Sequence, residues 1–396
     1  MTKDKIDDLV DVLGEEYARV ENTFVIRNSE QLVKYLENPD KWLQKQIASR
    51  IGFKNNLIGI ARSNLKALNE KAEKVFLLSY KEVDKDLLEV TENEIRAKDI
   101  PSDVKEQIKK IKEFNTQQVL KLANQSFKTY TKQVQVISRL STPDTLYDVV
   151  KSQTAKGIEN GVKIVYSDGK QYSWKAYMEM NVRTTVHQEA VQHQMKAGGE
   201  ANQIFYICNS FSDCAPDHAD YQGKLYYNEA ADITEEAQKF IDSNHIQSMQ
   251  EVVNGEPFLT SRPNCRHEFT AVPTNEVLLK STDEILEDKK IKFGDYKSEN
   301  YDALMKQRYN ERQIRKWKLR AENSKKLNKE TGIKFSDTAK AINKVKFWQG
   351  KQRELIKENK SVLKRQYERE NAKIMVDNLG VNYKYKVENG ELKKKH

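Results

Sequence analysis

A chain of 396 residues is long for one domain, and 38% hydrophobic against 32% charged residues is too polar for one compact globule of that size; two or three units with long exposed helices are expected. The net charge of +9 is uneven: residues 301–396 carry 27 Lys/Arg and 12 Asp/Glu, a net of +15, and the preceding 300 residues a net of −6. No run approaches the roughly 18 apolar residues of a membrane span, Met1-Thr2-Lys3-Asp4-Lys5 lacks the apolar core of a signal peptide, and three cysteines argue against a disulfide framework, so a cytoplasmic, membrane-free setting is expected.

Residues 1–50 read as short helices: Asp7–Tyr17, with Leu9, Val12 and Leu13 on one face, then Gln31–Glu37, which Pro39 separates from a turn around Trp42 and Leu43. Between Asn56 and Val90 the residues Ala61, Leu65, Leu68, Ala72 and Val75 follow the 4-3-4-3 spacing of a helix-packing seam. A second long helix is expected after Pro101, with Ser102 as its N-cap and Val104, Ile108, Ile111, Phe114 and Leu122 facing inward. The two most simply form an antiparallel hairpin. The period then shortens, and Val162–Tyr166 and Lys170–Trp174 around Asp168-Gly169 predict a β-hairpin. A helix follows from Trp174 to about Lys196, stopped by Ala197-Gly198-Gly199. Short strands are expected at Ile204–Cys208, Lys224–Tyr227 and His267–Val272, with a helix over Glu235–Ser243. The last third returns to helix over 300–326, 336–360 and 361–377, and ends in an alternating, hairpin-like stretch around Val381–Val387 and Gly390.

These elements define an α+β, predominantly helical fold. It comprises a helical N-terminal region with a long hairpin (1–158), a small central mixed α/β domain with short antiparallel strands (159–275) and a basic helical C-terminal region (276–396).

All three cysteines and two of six histidines fall in Cys208-x5-Cys214-x2-Asp217-His218-x3-Gln222-Gly223-Lys224 and Asn264-Cys265-Arg266-His267. Cys214, His218, Cys265 and His267 offer four ligands of the kinds that bind tetrahedral zinc, although their spacing is unlike that of zinc ribbons and fingers. An x1 spacing inside a strand would point Cys265 and His267 to one side. A catalytic array of Cys265, His218 and Asp217 lacks the surroundings of an activated nucleophile, and a metal nuclease using His218, Asn264 and His267 meets Pro273 where its helix should follow. The cluster therefore reads mainly as a structural clamp of Arg183, Asp217, His218, Gln222, Lys224, Asn264, Cys265, Arg266 and His267, in which Arg183 pairs with Asp217. His187 and His193 read as ordinary exposed or half-buried histidines.

In the basic tail, Arg308, Arg312, Arg315, Lys316, Lys318 and Arg320 cover most of one helix, and Lys364 and Arg365 follow. Such a surface either contacts DNA phosphates or is a solvated face docked through Tyr309 and Trp317.

With these residues in view, the chain resembles the phage minor capsid protein 2 family, distant relatives of Mu F-like head morphogenesis proteins. The likeness rests on Tyr177-Met178-x-Met180-x-Val182-Arg183-Thr184, Pro216-Asp217-His218-Ala219-x-Tyr221-Gln222-Gly223-Lys224 and Asn264-Cys265-Arg266-His267. It continues in Gln307-Arg308-Tyr309-x-Glu311-Arg312-x-Ile314-Arg315-x-Trp317-Lys318, Val345–Arg353, Leu363-Lys364-Arg365 and Arg369-Glu370, and spans roughly residues 160–375. Where the family usually has His-x-Gly-Ala-Arg-Pro-x-His, this chain has Phe211–His218, and Tyr221 replaces a Trp. The loss of the first His and the Arg weakens any inherited metal site. The resemblance implies a structural virion component without catalytic residues or cofactor, made in the host cytoplasm and held in the capsid interior near the portal vertex. Its implied partners are the portal protein, the major capsid or scaffold protein and, through the basic tail, packaged double-stranded DNA. The other readings are a DNA-binding ejection factor, or a metal-dependent nuclease or toxin carried in the virion.

Overall fold

The computed structural model describes residues 3–91, 102–165, 169, 171–260, 262, 265, 267–288, 294–331, 337–370, 385–388 and 391–394. Helix α1 (Lys3–Val33) is continuous where several short helices were expected. Its one glycine, Gly14, is a contact: a Cβ there would meet the Glu179 carboxylate. The chain breaks only at Asn38-Pro39, where the Asn38 side chain accepts from the Lys41 N–H at 3.3 Å. Helix α2 (Trp42–Thr91) then runs 50 residues, about 75 Å at 1.5 Å per residue.

Helix α3 (Ser102–Leu140) packs back along α2. The pairs Lys112–Glu73 (2.7 Å), Asn115–Asn69 (3.2 Å) and Tyr130–Gln46 (2.8 Å) run in opposite senses along the two helices, so the hairpin is antiparallel as expected. The seam is as spaced: Ala61, Leu68 and Ala72 are fully buried and Val75 nearly so. Ser79, which interrupts the apolar period, is also fully buried and returns its hydroxyl to the Phe76 carbonyl at 2.7 Å. Helix α4 (Leu146–Asn160) closes the bundle against α1.

The hairpin forms between β1 (Lys163–Val165) and β2 (Gln171–Ser173). Gly169 takes the positive φ of 78° that its turn requires, while Asp168 lies outside the described residues. Ser173 caps α5 (Trp174–Glu200) by accepting from the Ala176 N–H. Glu21 of α1 fastens this junction, its two oxygens accepting from the Val162 N–H (3.2 Å) and the Lys175 N–H (2.7 Å), and burial lifts its carboxyl to about 7. Helix α5 serves two cores. Trp174, Met178, Val182 and Val186 pack into the bundle with α1, and Ala190, Val191 and Met195 pack on the sheet together with Val83 and Leu87 of α2.

The double glycine does not stop α5, which runs through Gly198-Gly199 to Glu200. The glycines are needed for contact. A Cβ on Gly198 would overlap the Tyr206 hydroxyl, and one on Gly199 would stand 2.7 Å from both the carbonyl oxygen and the Cβ of Ala230. Gly199→Ala is therefore expected to cost about 1–3 kcal/mol, because backbone cannot yield as a flexible side chain can. Gly52, with nothing within 4 Å of a Cβ, is the control: Gly52→Ala should stabilise by about 0.5–1 kcal/mol. Urea unfolding of both variants checks this, and an unchanged midpoint for Gly199→Ala would refute the close approach.

The sheet has strand order β5-β4-β3-β6, with β3 (Phe205–Cys208) central and antiparallel to β4 (Leu225–Tyr227) and β6 (Phe269–Val272). β5 (Gln247–Ser248) pairs parallel with β4, an unexpected addition. Helix α6 (Glu235–Asn244) is capped by Thr234 and forms as expected; α7 (Met249–Asn254), α8 (Thr274–Leu279) and α9 (Thr282–Asp288) are short additions.

Helix α10 (Ser298–Thr331) pairs with α11 (Asp337–Glu358) and lies on α4 and α1. The third helix expected over 361–377 is absent from its described part, which is a turn and a short 3-10 segment at Tyr367–Glu370; the rest lies outside the described residues. The last described residues are β7 (Tyr385–Glu388) and β8 (Glu391–Lys394), which pair antiparallel. The result is predominantly helical α+β, as expected.

Candidate functional site

The Cys/His cluster sits where β3 and β6 open into loops. Asn209, directly after β3, donates its N–H to the Glu268 carbonyl (3.1 Å) and accepts the Glu268 N–H on its side chain (3.0 Å), which places 267–268 beside the end of β3. Gln222 folds the intervening loop: its Oε1 accepts from the Phe211 N–H at 2.8 Å and its Nε2 donates to the Phe211 carbonyl at 3.2 Å. Pro216–His218 forms a 3-10 turn that turns the His218 ring inward.

His218, Cys265 and His267 converge. The Nδ1 atoms of the two histidines are 3.4 Å apart, and the Cys265 Sγ lies 3.5 Å from Nδ1 of His218 and 3.4 Å from Nδ1 of His267. Both imidazoles are about 2% exposed and Cys265 is half-buried. The outer nitrogens are engaged: His218 Nε2 meets the Pro257 carbonyl at 3.2 Å, and His267 Nε2 meets Gln222 Oε1 at 3.0 Å. Burial holds the His218 imidazole below its usual range, against the pull of the Pro257 carbonyl.

Two of the four expected ligands therefore meet from one short segment, Cys265 and His267, and a third, His218, from the other loop. They do so from a loop and not from a strand, since β6 begins at Phe269. Cys214 is buried close by but is not among the converging donor atoms; burial pushes its thiol up to about 11 and that of Cys208 well above the usual value.

Asp217 is half-exposed and pairs with Arg262, not with Arg183. The two loops carrying Asp217 and Arg262 adjoin, whereas Arg183 stays half-buried on α5, where with Lys175 and Arg315 it draws the Glu179 carboxyl below its usual range against the opposing effect of burial. The array Cys265–His218–Asp217 is thus not assembled, because a backbone carbonyl and not a carboxylate orients His218. Lys224 contributes its backbone, the Cys208 N–H donating to its carbonyl at 2.9 Å, and its side chain is exposed. Asn264 and Arg266 lie outside the described residues.

Several residues that tie the surroundings of the cluster together carried no sequence signal. His187, expected exposed or half-buried, is 2% exposed and its Nε2 sits 2.6 Å from the His267 carbonyl; His193 Nε2 meets Asp84 at 2.6 Å. Buried Gln194 and Gln203 donate to the Phe269 and Val272 carbonyls of β6, and Asn228 donates to the Met195 carbonyl of α5.

The basic helix α10 is mostly occupied internally. Lys316 (2.9 Å) and Arg320 both pair with Glu159 of α4, Arg308 bonds Gln366 (2.9 Å) and Glu311 (3.3 Å), and Arg315 donates to the Arg369 carbonyl. Arg365 forms a two-point pair with Glu370 at 2.9 and 2.8 Å. Lys318 is half-buried, and that burial lowers its ammonium below the usual range against the attraction of Glu370. Only Arg312 and Lys364 of the eight DNA-contact candidates are exposed. Nor does Tyr309 dock the helix: it is 46% exposed and packs edge-on to Trp348 of α11 at 5.5 Å. Among the described residues, the buried apolar side chains of α10 are Ala303, Ile314 and Ala321.

Exposed cations are denser on α11 than on the longer α10, where Lys306, Arg312, Lys325 and Lys329 are the described ones. Lys340, Lys344, Lys346, Lys351, Arg353 and Lys357 are all exposed, beside Phe347 at 50% exposure. The signal was available as six Lys/Arg between 340 and 357 against one Glu, masked by the larger number of charges on α10.

The family described as phage minor capsid protein 2 matches the chain over residues 1–357. The match takes in the N-terminal helices, which showed no motif of their own. No curated protein and no solved structure matches the chain. No described helix is long and apolar enough to cross a membrane. The chain belongs to the phage minor capsid protein 2 family.

Proposed function

We propose that this phage minor capsid protein is a portal-associated head component that acts in procapsid assembly and in DNA packaging or delivery, with α11 as its contact to packaged DNA. The observation that carries the DNA assignment is the exposed basic face of α11, beside an α10 in which Lys316 and Arg320 are committed to Glu159, Arg308 to Glu311 and Arg315 to a backbone carbonyl. Solvated Lys and Arg can displace counterions from DNA, whereas buried, paired ones must first break an internal contact. Phe347, with Lys344 Nζ 5.5 Å from its ring centre, adds an apolar edge to that face. The helical N-terminal part is the proposed docking element for the portal and for the major capsid or scaffold protein. On this reading the protein resides in the virion, inside the capsid near the portal vertex.

Pull-down of the cognate portal protein with the intact chain tests the assembly role, and absence of a complex refutes it. For DNA, the triple variant Lys344→Glu, Lys346→Glu, Lys351→Glu should weaken binding at least tenfold in moderate salt. It should also flatten the salt dependence by about 0.9 for each phosphate no longer neutralised. Arg308→Gln on α10 should leave the slope unchanged. Equal binding by the triple variant and the parent in gel shifts would remove the α11 assignment.

A further inference from the structure

We infer that His218, Cys265 and His267 bind a single zinc-class transition-metal ion as a structural staple.

Distance is the first support. A tetrahedral ion about 2.05 Å from imidazole nitrogen and 2.3 Å from thiolate sulfur sets nitrogen–nitrogen edges of about 3.3 Å and nitrogen–sulfur edges of about 3.6 Å. The three edges here are 3.4, 3.5 and 3.4 Å, so an ion fits without moving a ligand more than a few tenths of an ångström.

The second support is the protonation that the surroundings impose. The Phe211 N–H fixes Gln222 with Oε1 as its acceptor end, and that same oxygen meets His267 Nε2, so Nε2 carries the proton. The Pro257 carbonyl can only accept, so His218 Nε2 carries a proton too. In the neutral rings both Nδ1 atoms are then acceptors facing one another at 3.4 Å, with the Cys265 sulfur within reach of both. Two acceptor nitrogens at that distance repel and the single thiol proton of Cys265 can serve only one of them, whereas a cation joins all three atoms. Outer-nitrogen hydrogen bonds to a carbonyl and an amide oxygen are the usual means of fixing a metal-binding histidine.

The sulfur is prepared as well. The Thr260 N–H donates to Cys265 Sγ at 3.2 Å, which favours the thiolate. One sulfur and two imidazole nitrogens select zinc-like ions over magnesium or calcium, which prefer oxygen. Three protein ligands leave a fourth position, assigned to water on the side of Cys265, the one ligand of the three that is partly exposed. The ion would join the Pro216–His218 turn to Cys265 and His267, which precede β6.

The test uses the full chain, purified without metal-affinity resin or chelator. Elemental analysis should give about one zinc per chain, retained in Cys214→Ser and lost in Cys265→Ser and His267→Ala. Because those last variants can fail to fold, the parent protein supplies the second readout. Replacement of its metal by cobalt(II) should produce the visible bands of a tetrahedral site together with a thiolate-to-cobalt charge-transfer band. Stripping the metal should lower the melting midpoint, and zinc should restore it. A folded parent protein that carries well under one equivalent of metal and gives no cobalt–thiolate band would overturn the inference in favour of a metal-free, hydrogen-bonded clamp.

Discussion

Trp174→Ala should destabilise the protein by about 3–5 kcal/mol, the largest loss expected from a single truncation here. The indole is fully buried at the first turn of α5, packs edge-on against Tyr17 of α1 with ring centres 5.5 Å apart, and donates its N–H to the Gln118 carbonyl of α3 at 3.2 Å. Its removal leaves a cavity bounded by three helices and strips that carbonyl of its donor, two costs that add. Tyr17 is itself fixed by a 2.9 Å bond to Asn115, so the cavity cannot collapse cheaply. Because α5 continues from this bundle into the sheet core, loosening its start should also lower protection of the Gly198–Gly199 end, read by hydrogen exchange. Trp174→Phe fills much of the space and should lose only about 1–2 kcal/mol. A loss below about 1 kcal/mol for the alanine variant in urea unfolding would mean that this junction is not a core.

How much of this was legible in the sequence follows from the range of the interactions involved. The seam Ala61-Leu65-Leu68-Ala72-Val75 was readable because helix packing imposes a period that one segment carries alone. The glycine pair after Ala197 misled for a related reason. As local chemistry Gly-Gly ends a helix, but here the backbone of Ala230 demands its small size and packing overrides propensity. Strand β5 and helix α7 are too short to show a period. The clamp was legible as a set of residue types and only partly as a set of contacts. His218, Cys265 and His267 do meet, but Cys214 does not join them and Asp217 finds Arg262. Asn209, His187 and Gln194 act by bonding backbone carbonyls and N–H groups far along the chain, and such pairing leaves no spacing to read. The tail shows the same limit in its electrostatics. Charge density picked out α10, whereas exposure, which depends on what α4 and residues 364–370 present to it, favours α11.

Glu159→Ala should separate the structural from the functional use of those charges. Glu159 lies in the last turn of α4 and holds both Lys316 (2.9 Å) and Arg320 of α10, with 23% of its side chain exposed against 8% for Arg320. Removing it takes from the buried Arg320 the carboxylate it faces. The cost of a broken buried pair, discounted for the partial exposure of Glu159, is about 2–3 kcal/mol. High salt should recover little of it, since the loss is one of desolvation and not of long-range attraction. Asn323 of α10, bonded to Asn22 of α1 at 3.0 Å, sits one turn further along and should keep the helix from leaving altogether. The same substitution removes one negative charge and takes Lys316 out of its pair, so DNA binding by the variant should equal or exceed that of the parent even as the unfolding midpoint falls. If α10 were already the DNA surface, Glu159→Ala would change affinity through loss of its positioning and the two readouts would fall together. Opposite signs for stability and affinity are what an internally committed α10 beside an exposed, basic α11 requires.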